Sequence, residues 1–265
     1  MTRRAFWKVI RNSIIAELEY RTNYIILIFS TVISLVMELA VYKQMYHGRE
    51  AIGWLPKSHV FSFVLIGILL RYASQLWTLV SEAIDEIREG TFRKYLLQPL
   101  NYSIYFYAKA IGPKITTWAL SILTIVIVKF LPDFGPLLPP QTWLPFAFAT
   151  VVSVTLCWQI YLAFVCLGFW IEEATFLSIA FNIGISLFSG TLMPLTWLPE
   201  AMQSFLAWTP FPLIGDFPIR AALDLLPQDE FTLYAWKSFI WIALLFVTNS
   251  SLKWAGTRRY EAYGG

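Results

Sequence analysis

Residues 81–100 read SEAIDEIREGTFRKYLLQPL, a charged stretch that lies between two long apolar runs. Its carboxylates recur at spacings of three and four, so a helix would place them near one face. The runs on either side, 59–80 and 105–131, are too apolar for a water-soluble protein. A membrane protein that keeps such a stretch between two spans is expected to present it to a partner at one membrane face.

The composition is that of an integral membrane protein. Of 265 residues, 57% are hydrophobic and 14% are charged, whereas about a quarter of an ordinary globular domain is charged. Runs long enough to cross a hydrocarbon core about 30 Å thick cover residues 23–42, 59–80, 105–131, 144–171, 175–193 and 234–254. They are continuous and do not alternate, which favours helices over a barrel. The sequence therefore predicts an all-α integral membrane protein with about six transmembrane helices.

Lysine and arginine are distributed unevenly about these spans. With an even number of spans, thirteen of them, within 3–21, 88–114 and 253–259, fall on one side, and six fall on the other. Positive charge is enriched on the cytoplasmic side, so both termini are predicted to be cytoplasmic in a multi-pass protein of the cell inner (plasma) membrane. The net charge of +3 reflects this bias and predicts no nucleic-acid partner, because the cations do not form one basic face.

Two segments outside the spans have their own character. Residues 1–22 alternate cations with apolar residues at roughly helical spacing, which predicts an interfacial elbow helix; the alternative is a basic flank that only orients the first span. Residues 194–230 hold six prolines among aromatic residues, too broken for one straight span. They predict a re-entrant or interfacial hairpin on the outer side, or else an amphipathic surface loop. Residues 1–265 are predicted to form a single membrane domain.

The segment 82–100 divides at Gly90. Glycine commonly ends a helix, and Thr91 suits the cap of a second, short helix that runs to Pro99. Phe92 lies on one stripe of that helix with Tyr95 and with the leucine that follows it. This face of the short helix is predicted to dock on a partner.

No metal site is predicted. The acidic residues before Gly90 would need histidine partners on facing helices, and the two histidines, His47 and His59, fall on the predicted outer side. A solvated acidic face is the plainer interpretation. Cys157 and Cys166 lie in the fourth apolar run, where a thiol behaves as a small hydrophobe.

Residues 86–112, EIREGTFRKYLLQPLNYSIYFYAKAIG, resemble the first cytoplasmic connection of type-2 ABC transporter permeases. In that family an acidic residue and Gly-Thr precede a short helix that ends in Leu-Leu-x-Pro. The residues that match this pattern are Glu89, Gly90, Thr91, Leu96, Leu97 and Pro99, with Lys109 and Gly112 in its continuation. The resemblance extends to the elbow, the number of spans, the proline-rich outer hairpin and the basic tail.

The resemblance implies the membrane-spanning permease subunit of an ATP-driven ABC exporter. Two permease subunits, identical or related, would pair, and each would rest on a cytoplasmic ABC ATPase subunit through a coupling helix. The residues expected at that contact are Glu89, Gly90, Thr91, Phe92, Arg93, Tyr95, Leu96, Leu97 and Pro99, with Glu172 and Glu173 at the next turn on the same side. No G-x-x-x-x-G-K-[ST] pattern occurs in the chain, so this chain is not expected to be an enzyme, and ATP and Mg²⁺ are expected on the partner. The second span, without a helix breaker from His59 to Glu89, would act as the lever.

Polar residues inside the spans are candidates for a cavity or a subunit interface. They are Arg71, Gln75, Asn182, Ser186, Ser189 and Gly190. A cation within a span is a functional hypothesis by default, although Arg71 could also snorkel or pair within the bundle. Glu38 is expected at a different depth, so no pair with Arg71 is predicted. Small residues in the fifth span allow close helix approach, either between subunits or within one.

The predicted cargo is hydrophobic or amphipathic: a lipid, drug, secondary metabolite or glycan. Membrane lipids are expected as surroundings. The alternative function is a secondary transporter or channel driven by an ion gradient, which predicts broken spans with carboxylates near the midplane. A membrane enzyme is a third reading, and it would require clustered His, Asp or Glu at one interface.

Overall fold

The computed structural model describes residues 3–19, 21–97, 101–129, 138–171 and 173–260. In these ranges the chain is helical apart from loops, short 3-10 turns and one β-hairpin of β1 (Ala51–Ile52) and β2 (Leu55–Pro56). The longer helices are α1 (Arg3–Glu19), α2 (Arg21–Met45), α3 (Val60–Ser74), α4 (Trp77–Arg88), α6 (Tyr102–Lys129), α7 (Trp143–Leu167), α8 (Ala174–Phe188) and α12 (Gln228–Arg259). The shorter ones are α5 (Arg93–Leu96), α9 (Glu200–Leu206), α10 (Phe211–Ile214) and α11 (Asp216–Ala222).

Four stretches among the described residues are both long and apolar enough to cross a membrane: Ile28–Met45, Lys57–Arg88, Pro140–Leu167 and Gln228–Arg258. The other two predicted spans correspond to α6, with 28 residues, and α8, with 15 residues. At 1.5 Å per residue α8 is about 22 Å long, less than the hydrocarbon core. An all-α membrane protein is confirmed, and the count of six spans stays a prediction.

Helix α7 is the centre of the bundle. It contacts α3, α4, α8, α10, α11 and α12, and its Leu156, Cys157 and Tyr161 are fully buried. By contrast, only 6% of the apolar windows of α2 and α12 is buried. Apolar side chains such as Phe29 and Phe239 are exposed there, as suits helices that face lipid or another subunit.

The predicted elbow corresponds to α1, which packs along α6. Its 17 residues end at Glu19, and α2 begins at Arg21, so the two helices follow one another almost directly. Helix α1 therefore lies against the bundle, and its role as an interfacial elbow stays a prediction. Its depth in a membrane stays a prediction.

The second predicted span is broken. Helix α3 ends at Ser74, Gln75 is extended with ψ 128°, and α4 begins at Trp77. The expectation of an unbroken lever from 59 to 89 is therefore wrong. No proline or glycine marks the break. The break leaves the Tyr72 carbonyl without a helical partner, and Lys114 Nζ of α6 donates to this carbonyl instead, at 2.8 Å. A break within a span is tolerated where neighbouring side chains satisfy the backbone.

Residues 194–230, which we call the outer segment after their predicted side, form a set of short helices packed into the bundle. Helices α10 and α11 contact α7, and Phe217 and Ile219 of α11 are fully buried. Most of α9 is exposed, as is Trp208 just after it, which is 83% accessible. The interpretation as an amphipathic surface loop is therefore wrong for most of the segment.

An ionic network fixes α11 to the start of α12. Arg220 Nη1 lies 2.8 Å from Glu230 Oε2 and 3.7 Å from Asp216 Oδ2, and Tyr234 Oη donates to Asp216 Oδ2 at 3.0 Å. Burial raises the pKa of Asp216 to about 6, with Arg220 and Tyr234 opposing the shift. These four residues are referred to below as the outer network.

The first prediction concerns the end of α8. Gly190 has φ +87°, and a Cβ there would lie 3.0 Å from Asp216 Cβ. Gly190→Ala should destabilise the protein by about 1–2 kcal/mol or more, because a side chain is strained in the left-handed region. Gly184→Ala is the control, since no atom lies within 4 Å and alanine favours the helix by about 0.5–1 kcal/mol. Thermal unfolding in detergent measures both; equal midpoints would contradict the geometry.

The second prediction concerns the break. Lys114→Met leaves the Tyr72 carbonyl without its partner, which should cost about 1–3 kcal/mol. Lys109→Met on the same helix is the control, because Lys109 pairs with the exposed carboxylate of Glu82 at 2.7 Å, a contact worth about 0–1 kcal/mol. Unfolding midpoints should fall clearly for the first variant only. A Lys109 variant as unstable as the Lys114 variant would refute this role.

Candidate functional site

The segment after α4 makes a tight reversal. Gly90 has φ +78°, and the Phe92 amide and Thr91 Oγ1 both donate to the Glu86 carbonyl, at 2.8 and 3.2 Å. Helix α4 ends just before Gly90, as predicted, and a short helix, α5, follows at Arg93–Leu96; its predicted end at Pro99 lies outside the described residues. The predicted cap is wrong, because Thr91 closes the end of α4 and makes no cap for α5.

The Glu86 side chain fastens α5 to α4. Its Oε1 accepts hydrogen bonds from Lys94 Nζ at 2.9 Å and from the Tyr95 hydroxyl at 3.1 Å. Burial raises the pKa of Tyr95, and Tyr105 and Glu86 raise it further, so the hydroxyl stays protonated as a donor. Because Glu82 holds Lys109 in the same way, the acidic stretch is only partly a solvated face.

Phe92 points into the protein. It is 1% exposed and forms an aromatic cluster with Tyr95, Tyr102, Phe169 and Tyr260, at centroid distances of 5.6, 4.8, 5.2 and 5.6 Å. The prediction that Phe92 and Tyr95 form the docking stripe is therefore wrong for this conformation. The aromatic cluster instead joins α5 to the start of α6, the end of α7 and the end of α12.

Among the described side chains, the exposed side of the reversal is polar, with one large apolar residue. Thr91, Arg93 and Lys94 are exposed, and Leu97 is 75% exposed. Glu173 is exposed at the start of α8, and it follows Phe169, which contacts Phe92. We call these five residues, Thr91, Arg93, Lys94, Leu97 and Glu173, the basal surface.

The other predicted contact residues are placed less completely. Glu89 is exposed as the last residue of the α4 turn. Leu96 ends α5, and nothing is described of its side chain. Pro99 and Glu172 lie outside the described residues.

Inside the bundle, Arg71 is paired. Its Nη1 donates to the Thr191 carbonyl at 2.8 Å, and Nη2 forms an ion pair with Glu38. The expectation that Arg71 and Glu38 do not pair is wrong. The end of α2 and the start of α3 flank the same connection. Glu38 lies seven residues from that end of α2, and Arg71 lies eleven residues from that start of α3. The resulting difference in depth is about 6 Å, which a long arginine side chain can span.

Most of the predicted in-span polar positions meet. Arg71, Gln75, Asn182 and Ser186 line a cavity of about 10 Å³ between α3, α7 and α8, enough for about one water molecule. Tyr161 Oη donates to Asn182 Oδ1 there, at 3.0 Å. We call this the polar cavity.

The two remaining positions, Ser189 and Gly190, lie at the end of α8. Ser189 Oγ lies 3.0 Å from Thr191 Oγ1, and the Asp216 amide donates to the Ser189 carbonyl at 2.7 Å. They connect α8 to the outer segment and do not line the polar cavity.

Sequence reasoning missed one buried polar group. Asn249 Nδ2 donates to the backbone and side-chain oxygens of Gln159, both at 2.8 Å, and the Tyr107 hydroxyl donates to Gln159 Oε1 at 2.9 Å. These bonds tie α6, α7 and α12 together. The signal was available, since Gln159 and Asn249 interrupt otherwise apolar runs and polar side chains in spans usually find partners on neighbouring helices.

Within the described residues, no three His, Cys, Asp or Glu side chains are grouped so that they could hold a metal ion. Cys157 and Cys166 are buried and unpaired.

Comparison with known families agrees with these features. The family described as ABC-2 family transporter protein matches residues 28–264, nearly the whole chain. No curated protein is similar enough to count as a relative. The match runs from within α2 to the end of α12 and includes the reversal, the polar cavity and the outer segment. The chain belongs to the ABC-2 transporter family, the type-2 ABC transporter permeases.

Proposed function

We propose that this membrane subunit of an ABC transporter works as the permease of an exporter that rests on a cytoplasmic ATPase through its basal surface. The observation that carries the proposal is the reversal at 86–97, which Glu86 and the aromatic cluster hold rigid while the basal surface stays exposed. A rigid, exposed, charged protrusion is suited to receiving a displacement from a soluble partner. ATP and Mg²⁺ belong to that partner in this proposal.

The same contacts provide a path for the displacement. Because α5 is fixed to α4 by Lys94 and Tyr95, a push on α5 moves α4 with it. The break at Gln75 lets α4 change its angle to α3 without bending a continuous helix. The lever in this proposal is therefore α4 alone, and the polar cavity lies directly beside its hinge. Alternating access of a hydrophobic or amphipathic cargo follows if two such subunits move together.

The exposed apolar faces support a second permease subunit. Helices α2 and α12 carry large unburied side chains, which a membrane, an identical chain or a paralogue would cover. Tyr260 contacts Phe92, so the end of α12 lies at the same end of the bundle as the basal surface. With the ATPase in the cytoplasm, this end of the bundle would be cytoplasmic. The lysines and arginines within 3–21, 88–114 and 253–259 would lie on the same side, as the enrichment of positive charge on cytoplasmic flanks requires.

One observation favours the ion-driven alternative. The Glu38–Arg71 pair lies within two spans, and α3–α4 is a broken span, as in many secondary transporters. However, Glu38 is already neutralised by Arg71, which leaves it poorly suited to bind and release a cation. Cargo movement by the purified chain without an ATPase would decide for this alternative.

The third prediction tests the basal surface. Arg93→Glu reverses an exposed charge at the protrusion, so co-expression with the cognate ATPase should yield several-fold less co-purified ATPase and less transport. Arg49→Glu is the matched control, because Arg49 is also exposed and lies beside the β-hairpin, at the other end of α2–α4 from the reversal. Both variants should reach the membrane at native levels.

Phe92→Leu separates docking from folding. The leucine keeps an apolar side chain in the aromatic cluster but loses the ring contacts, so the unfolding midpoint of the protein should fall. Complexes of this variant with the ATPase should keep the native ratio of the two subunits. Native ATPase binding by Arg93→Glu, or equal loss in Arg49→Glu, would overturn the docking role of the basal surface.

A further inference from the structure

A second cavity opens between α1, α4 and α6. It has a volume of about 440 Å³, within the range of ligand pockets of about 300–1,000 Å³. It reaches Gln75 at the break between α3 and α4, and Gln75 also lines the polar cavity. Two of its walls are fixed to each other, because α1 crosses α6 at Gly112, where a Cβ would collide with Ser13 Cβ. We call this cavity the α1 pocket.

The lining of the α1 pocket carries both signs of charge. Its charged residues, among those that the structure describes, are Glu17 of α1, Glu82 of α4, and Lys109 and Lys114 of α6. Glu82 and Lys109 neutralise each other in an ion pair at 2.7 Å. The four charges sum to zero, so the net charge of a charged occupant would stay uncompensated in a partly buried site. The pocket therefore favours an occupant whose own charges sum to zero.

The other two charges face the α1 pocket without a contact between them. The charge of Glu17 acts on Lys114, but within the described ranges neither side chain has an ion-pair partner. Both are partly exposed. An ammonium has three donors, and Lys114 donates to the Tyr72 carbonyl, a neutral group. A zwitterion would complement both charges, with its anionic group at Lys114 and its cationic group at Glu17.

The carboxylate of Glu17 also selects among cationic groups. A carboxylate accepts hydrogen bonds, and a primary ammonium donates up to three, whereas a trimethylammonium group has no N–H to donate. The polar lining is interleaved with apolar residues, such as Leu79 of α4 and Pro113 of α6, which suits an amphipathic molecule.

The position of the α1 pocket along α6 indicates where such a molecule would come from. Lys109 and Lys114 come just before the uncharged stretch 115–128 of that helix. Lysines at the end of an apolar stretch lie near the membrane boundary, at the level of lipid headgroups. A membrane lipid whose headgroup combines a phosphate with a primary ammonium meets all of these conditions.

We propose that the α1 pocket binds the headgroup of phosphatidylethanolamine, with its phosphate accepting from Lys114 and its ammonium donating to Glu17. The headgroup would contact α4 through Thr78 and Leu79, just after the break at Gln75. Binding itself does not depend on the proposed ATPase partner. Under the proposed function, the lipid would lie in the cytoplasmic leaflet, between the lever α4 and the unit that α1 and α6 form.

The test is native mass spectrometry of the full chain, purified in detergent and titrated with dioleoyl phosphatidylethanolamine, phosphatidylcholine or phosphatidylglycerol. We expect one retained phosphatidylethanolamine and about tenfold weaker binding of the other two lipids, which corresponds to about 1.4 kcal/mol. Phosphatidylcholine lacks the N–H donors, and phosphatidylglycerol adds an uncompensated negative charge. Equal affinity for the three lipids would overturn the proposal. Displacement of the lipid by equimolar O-phosphoethanolamine would also overturn it, because the site would then take a soluble zwitterion.

A charge variant tests the role of Glu17. Glu17→Gln leaves the lining of the α1 pocket with a net charge of about +1 and removes the carboxylate. Most of the preference for phosphatidylethanolamine over phosphatidylcholine should then be lost, and phosphatidylglycerol should bind more tightly than it binds the native chain. Glu19→Gln is the matched control, since Glu19 is exposed on the same helix and does not line the pocket. A native order of affinities in Glu17→Gln would contradict the assignment.

A blocking variant makes the result independent of charge. Ala16 lines the α1 pocket and is exposed, so Ala16→Trp should fill the mouth of the pocket and abolish the retained lipid. Ala119→Trp is the control, at an exposed alanine of α6 outside the pocket. Unchanged lipid retention in Ala16→Trp would overturn the proposal. Native ATPase binding by Arg93→Glu, together with an intact preference for phosphatidylethanolamine, would refute only the proposed function.

Discussion

A polar group within a span is costly unless it finds a partner in the protein, because lipid offers none, and this cost shapes the middle of the bundle. Arg71 is tolerated because it forms an ion pair with Glu38 and donates a hydrogen bond to the Thr191 carbonyl. The broken helix is tolerated because Lys114 bonds the Tyr72 carbonyl. Each pair joins two elements that are distant in sequence. The same groups that would destabilise an isolated span therefore specify how the spans are arranged.

The end of the bundle that carries the basal surface is stabilised by a different combination of contacts. There the polar contacts of Glu86 are combined with aromatic packing around Phe92, whose ring meets others from four separate parts of the chain. Edge-to-face aromatic pairs add directional contacts to the burial of apolar area. This end should therefore move as one body. The break between α3 and α4, which serves as the hinge in the proposed function, lies further inside the bundle.

The sequence predicts much of the fold and less of the site. Continuous apolar runs locate the long helices, and Gly90 marks the reversal, because these features act locally. The break at Gln75 has no local signal, since it depends on Lys114 about forty residues away. The inward direction of Phe92 depends on Phe169 and Tyr260, which no local stripe reveals. The Glu38–Arg71 pair was missed because depth was counted along helices, without the length of the arginine side chain.

Helix α12 has a consequence of its own. It runs for 32 residues without interruption, about 48 Å, and is anchored at both ends: Glu230 and Tyr234 join the outer network, and Tyr260, just after its last turn, joins the aromatic cluster. A stiff strut fixed at both ends transmits axial shifts directly. The molecule thus has two parallel connections between its faces, one jointed through α4 and α3 and one unjointed through α12. If α4 tilts while α12 stays straight, a push at the basal surface would make the helices slide past one another at the opposite face.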